Sequence, residues 1–125
     1  MKYLTKYIIE KLHLNKNIKN YKITLNELED FFKDFLEKFE GGKYINNVKY
    51  FATKSTIPPY NEVRLSMNIG STKPSFMSID TKDKFLNQAY LVLKEFGKDR
   101  NYIMKDPLVR ISTTIFTFKE NNETN

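Results

Sequence analysis

The sequence predicts a two-layer α+β domain behind a short basic helix, and three patterns predict it. Large apolar residues recur at helical spacing from Leu25 to Phe39 and again from Phe85 to Phe96. Apolar and polar residues alternate strictly from Glu62 to Ile69. A run rich in Ile, Thr and Phe follows the second helical stretch and closes the chain's apolar content.

Residues 1–20 read as a leader and linker. Leu4, Ile8 and Leu12 recur four residues apart with Tyr3 and Tyr7 beside them, while Lys2, Lys6, Glu10 and Lys11 take the other positions. That is a short amphipathic helix. A helix of about a dozen residues is marginal alone, so Tyr3, Leu4, Tyr7, Ile8 and Leu12 form the expected partner-docking stripe. Asn15-Lys16-Asn17 ends it.

The domain is expected over 21–119. Lys22 to Thr24 reads as a very short strand, and Thr24 with Glu27 has the form of a capping box. The helix it opens places Leu25, Leu28, Phe31, Phe32, Phe35, Leu36 and Phe39 on a wide apolar stripe and acids on the outer face, and Gly41-Gly42 stops it. Residues 43–53 read as a strand with Tyr44, Val48 and Tyr50 on one side. Pro58-Pro59 stiffens the connection to the strand carrying Val63, Leu65, Met67 and Ile69.

After a loop over 70–78, a second helix is expected from near Asp80 to Phe96. Asp80 and Asp83 favour its start and Gly97 caps it. The last strand is expected over 108–118 with Val109, Ile111, Thr113 and Ile115 facing the core, and 120–125 reads as a polar tail. No segment repeats. The order is a leader helix, then (β)αββαβ, which is ferredoxin-like if 22–24 pairs as a strand. If it does not, a three-stranded sheet carries two helices on one face.

The net charge is +6 over 125 residues, and Lys2, Lys6, Lys11, Lys16, Lys19 and Lys22 against Glu10 put nearly all of it at the start. Net charge governs partners rather than fold, so this asymmetry points to docking. Ten Phe and eight Tyr with no Trp predict a phenylalanine core. The absence of cysteine excludes disulfides, thiolate catalysis and Cys-ligated zinc. Ile8-Ile9 is flanked by Lys6, Glu10 and Lys11, so no secretory apolar run is read there, and no membrane span is expected.

No pattern identifies a reaction. His13 is the single histidine and has no orienting second group. Glu27, Asp30 and Asp34 share a helix face, which reads as a solvated acidic surface rather than a cation site. Gly41-Gly42 and Gly70 are turn glycines, and neither a phosphate loop nor a nucleophile elbow is present. The expectation is a non-enzymatic protein with no catalytic residue, metal ligand or cofactor.

The sheet face away from the helices is expected to carry Asn47, Lys49, Arg64, Ser66, Asn68, Arg110, Ser112 and Thr114. Its central positions Arg64, Ser66 and Asn68 hold no ring, and Phe51, Phe116 and Phe118 supply rings only at the margins. Base stacking is therefore disfavoured against a solvated or partner-covered face. Lys43, Lys49, Lys54, Arg64 and Lys73 against Glu62 give 43–76 a charge of +4. With Lys2, Lys6, Lys11, Lys16, Lys19 and Arg110 they form the alternative, a nonspecific grip on nucleic-acid phosphates.

Met1 to Lys19, MKYLTKYIIEKLHLNKNIK, resembles the leader of small, otherwise dissimilar proteins of crAss-like and related phages infecting Bacteroidota. The resemblance lies in the Met-Lys start, the Ile/Leu/Tyr helix, the Glu10-Lys11-Leu12 step and the Asn15-Lys16-Asn17 linker. It implies a phage-encoded accessory or virion-associated protein in the host cytoplasm or virion interior, whose leader directs docking or packaging with another protein. A further alternative is an inhibitor of a host defence nuclease, with Glu27, Glu29, Asp30, Asp34 and Glu37 imitating a row of phosphates. Homo-oligomerisation is left open.

Overall fold

The computed structural model describes residues 21–69 and 77–121. The expected leader helix and linker, the segment 70–76 and residues 122–125 lie outside the described residues. Two helices, α1 (Leu25–Lys38) and α2 (Ile79–Asp99), cover one face of a five-stranded antiparallel sheet. Its strands are β1 (Lys49–Lys54), β2 (Glu62–Asn68), β3 (Tyr102–Met104), β4 (Leu108–Val109) and β5 (Thr113–Glu120).

The capping box forms as its spacing predicts. Thr24 Oγ1 accepts from the Glu27 N–H at 3.1 Å, and Glu27 Oε1 accepts from the Thr24 N–H at 3.3 Å. The same Glu27 reaches further, because its Oε2 accepts from Arg100 Nε at 2.8 Å and from the Tyr21 hydroxyl. Arg100 is only 4% exposed; its Nη1 donates to the Phe96 carbonyl and its guanidinium lies 3.9 Å from the Phe96 ring centre. This joint ties residues 21–24 and the start of α1 to the end of α2.

Lys22 to Thr24 is not a strand, so the condition for a ferredoxin-like order is not met. The Ile23 N–H donates to the Tyr102 hydroxyl and its side chain is buried, so the segment is held by single contacts instead of a ladder. The expected strand over 43–53 begins only at Lys49. Glu40, Gly41 and Gly42 take positive φ, and the Tyr44 carbonyl accepts from the Asn47 and Val48 N–H groups. Tyr44 and Val48 are thus buried from a turn.

The sheet order is β1-β2-β5-β3, with β4 also beside β5. Two αββ units follow one another, α1-β1-β2 and α2-(β3, β4)-β5, and their final strands pair at the centre with Leu65 opposite Phe116. The outer strand of the second unit is broken. Tyr102 pairs with Glu120 and Leu108 with Ile115, a register shift of one residue around Pro107, which has no N–H to give a ladder. β5 runs through Glu120, so that residue belongs to the domain and not to the expected tail.

The core is phenylalanine-rich, as the composition predicts. Phe85 of α2 stands among Phe32, Phe35 and Phe39, with ring centres 6.2, 5.5 and 5.1 Å away, and Phe31 meets Phe96 at 4.7 Å. Beneath them lie Val63, Leu65 and Met67 of β2 and Phe116 and Phe118 of β5. The phase expected for the last strand is therefore reversed. Thr114, Phe116 and Phe118 face the helices, whereas Val109 and Ile111 are exposed. The larger rings occupy the buried side because they remove more apolar area from water.

α2 starts behind Ser78, whose Oγ accepts from the Thr81 N–H, so neither Asp80 nor Asp83 is the cap. It continues past Gly97 to Asp99. Gly97 serves close approach instead of capping, since a Cβ there would lie 2.9 Å from Phe118 Cδ2.

Two outcomes follow from this packing. Phe35→Ala should lower unfolding free energy by about 3–5 kcal/mol, and Gly97→Ala by about 1–3 kcal/mol, both read by urea unfolding. Burial, with the Glu27 carboxylate beside it, pushes the Tyr21 hydroxyl up to about 12. A raised value adds stability below the ordinary tyrosine value of 10.0 that is lost as pH rises toward 12. Tyr21→Phe should make the alkaline decline in melting temperature shallower; an unchanged slope would remove this assignment.

Candidate interaction surface

Among the described residues, no helix covers the second face of the sheet, and its side chains fall into cross-strand rows. One row runs Phe51, Ser66, Ile115 and Leu108 across β1, β2, β5 and β4. At about 4.8 Å between strands it spans roughly 14 Å. Phe51 is 56% and Leu108 47% exposed, while Ser66 and Ile115 between them are half-buried, so the row presents apolar side chains to solvent mainly at its two ends. Polar rows flank it: Lys49, Asn68 and Thr113 on one side, Thr53, Arg64 and Thr117 on the other. Beyond these stand Glu62, Lys119 and Ile103.

Glu62 organises the charged end. Lys105 Nζ donates to it at 2.6 Å and Arg64 Nη2 at 3.2 Å. The Lys105 hydrogen bond, above all, holds its carboxyl below the usual range. On the paired strand positions, Lys49, Arg64 and Lys119 outnumber Glu62, so the face is weakly basic.

Of the residues expected here, Lys49, Arg64, Ser66 and Asn68 occupy the open face. Thr114 does not; the reversed phase of β5 buries it beneath α2. Asn47 sits in the turn before β1, and Arg110 and Ser112 lie in the turn joining β4 to β5, where the Arg110 N–H donates to the Thr113 carbonyl. Phe116 and Phe118 are buried and offer no ring. Lys43 stands 5.6 Å from the Tyr44 ring centre, and Lys54 ends β1. Tyr3, Leu4, Tyr7, Ile8, Leu12, His13, Lys2, Lys6, Lys11, Lys16, Lys19 and Lys73 lie outside the described residues.

The sequence reading missed Ile115 and Leu108 as residues of the open face, Ile115 half-buried and Leu108 exposed. The missed signal was bulk: of the two faces of 113–118, the one with two phenylalanines is the heavier and goes inward. It also missed the role of Glu29, whose Oε2 accepts from the Ala52 N–H at 2.8 Å on β1, the outermost strand. A carboxylate there blunts strand addition on that side. With Glu27 in the joint, Glu29 on β1 and Asp34 bridged to Lys38 at 2.6 Å, the α1 acids are largely engaged within the protein.

Among the described residues, no group of three or more His, Cys, Asp or Glu is placed to hold a metal ion, and no helix is long and apolar enough to cross a membrane. Comparison of the chain with protein-family models, curated proteins and solved structures gives no match.

The Glu62 cluster sets an acid dependence. Its contribution to stability is fully present above the ordinary carboxylate value of 4.5 and is lost as pH falls through the lower folded value. Lys105→Gln should move that acid loss to higher pH in denaturant unfolding followed across pH. An unmoved acid limb would show that Lys105 does not hold the carboxylate in solution.

Proposed function

We propose that this chain is a small non-enzymatic protein that docks a partner protein on its open sheet face, with the basic leader adding attraction to acidic surfaces. The observation that carries the reading is the Phe51–Ser66–Ile115–Leu108 row, with Phe51 and Leu108 exposed at its ends, between polar rows. An apolar centre with a polar rim is the anatomy of a protein interface. Ile115 and Leu108 are aliphatic and give bases no ring to stack on, which favours a protein partner over a stacked nucleic acid. The excess of Lys49, Arg64 and Lys119 over Glu62 calls for a partner with carboxylates around an apolar ridge. Two copies of this face would meet with like charges.

The likeness of residues 1–19 to phage leaders supports a phage accessory or virion-associated role. Nonspecific phosphate binding by the leader lysines with Lys49 and Lys54 is the second reading, favoured by the position of Lys49 on the sheet face away from the described helices. Mimicry of a phosphate row by α1 draws less support, because Glu27 and Glu29 are committed to internal hydrogen bonds.

Phe51→Asp with Leu108→Asp should abolish capture of the partner from a lysate of the encoding host while melting changes little, since both side chains are exposed. Deletion of residues 1–19 should leave a cooperative unfolding transition and weaken capture. A mobility-shift titration with DNA and RNA oligonucleotides at several salt concentrations separates the readings. Unchanged capture by the Asp variant, with tight and steeply salt-dependent oligonucleotide binding, would replace docking by the phosphate reading.

A further inference from the structure

The docking row has a direction. Phe51, Ser66, Ile115 and Leu108 run across β1, β2, β5 and β4. Two residues along each longer strand, the side chain on the same face is polar: Lys49 and Thr53 on β1, Arg64 and Asn68 on β2, Thr113 and Thr117 on β5. An apolar ridge that matches the row must therefore cross the strands instead of following them. Its ends weigh most, since Phe51 and Leu108 are exposed while Ser66 and Ile115 lie half-buried between them.

An extended segment fits this surface poorly. Laid across the strands, it would press unpaired N–H and C=O groups onto Phe51 and Leu108, and buried backbone groups without partners are costly. Added at an edge, it finds β1 blunted, where the Ala52 N–H already donates to Glu29, and the far side broken around Pro107 between β3 and β4. An α-helix carries its backbone hydrogen bonds within itself. Its heptad stripe also has the right step. Positions i, i+3, i+7 and i+10 climb about 4.5, 10.5 and 15 Å along a helix. The strands of the row stand about 4.8, 9.6 and 14.4 Å from the first.

We infer that the partner element seated on this face is an amphipathic helix with an apolar heptad stripe and acidic flanks, lying across the strands. This rests on the docking reading above and adds the shape of what docks. The outer residues of the stripe meet Phe51 and Leu108, and the inner ones lie over Ser66 and Ile115. The polar rows stand about 6.6 Å to either side, within reach of the flanking side chains of a helix about 10–12 Å across. Lys49 lies on one flank and Arg64 on the other, so carboxylates suit both. Glu62 offsets part of the charge on the Arg64 side, which makes the Lys49 flank the stronger. The same charges disfavour the chain's own leader, whose lysines outnumber its acids, and a second copy of the face.

The test titrates synthetic peptides into the full chain, followed by amide NMR shifts and by the peptide's far-ultraviolet circular dichroism. The probe carries Leu at i, i+3, i+7 and i+10, Glu at the flanking positions and Ala elsewhere. One comparison peptide has Lys in place of Glu, a second has the same composition with Leu at alternate positions, and a third is residues 1–19 of this chain. The acidic heptad probe should shift Phe51, Ser66, Ile115 and Leu108 saturably and gain helicity, and each comparison should bind about tenfold more weakly. Lys49→Glu with Arg64→Glu should reverse the preference between the Glu and Lys probes. Phe51→Asp with Leu108→Asp should abolish binding of both. No saturable shift of the row by the acidic probe, equal binding of the Lys or the alternate peptide, or tighter binding of residues 1–19 would each overturn the helix. So would a dimer of the full chain in sedimentation that Phe51→Asp with Leu108→Asp dissolves. Failure of the docking reading looks different, because there capture of the partner itself survives Phe51→Asp with Leu108→Asp.

Discussion

The carboxylate of Glu27 is the contact on which the arrangement turns. It closes the cap of α1 through the Thr24 N–H and takes hydrogen bonds from Arg100 and from the Tyr21 hydroxyl. Each charge also suits its own helix, an anion at the start of α1 and a cation just past the end of α2. A buried ion pair adds little net stability over an apolar substitute, but losing one partner strands the other charge away from water. The joint therefore acts on specificity: it fixes which end of α1 meets which end of α2, and brings residues 21–24 beside Tyr102 and Glu120.

With the helix ends fixed, the phenylalanines decide the layers. Phe85 is enclosed by Phe32 and Phe35 of α1 and Phe39 just beyond it, and that cluster covers one side of the paired central strands β2 and β5. Among the described residues no helix is left for the other side, and there the sheet has one dry and one open face. A wet antiparallel face is ordinary when it is polar. Here an aromatic and two aliphatic side chains in one row break that pattern, and the functional reading rests on this departure.

The elements legible in the sequence were those with a strong local period or a local cap. α1, with its Thr24–Glu27 box, and β2, with its unbroken alternation, stand where the sequence places them, and the α+β class follows from them. The rest depended on long-range choices. Which side of 113–118 faces inward is settled by the helices above it. The break at Pro107 needs a partner strand to define a register, and Gly97 reads as a cap until Phe118 is seen against it. The open face was half legible for the same reason: β2 contributed Arg64, Ser66 and Asn68 as expected, while β5 contributed its other side.

The most direct test of the joint is a double-mutant cycle in urea unfolding at neutral pH, with Glu27→Gln, Arg100→Met and the pair together. Each single change should cost about 2–3 kcal/mol, the worth of a hydrogen bond between charged groups of which Arg100 is buried and Glu27 part-buried. The double variant should lose little more than either single one, leaving a coupling of about 2 kcal/mol. Losses that simply add would show that Glu27 and Arg100 act independently and that the helix ends are held together by something else.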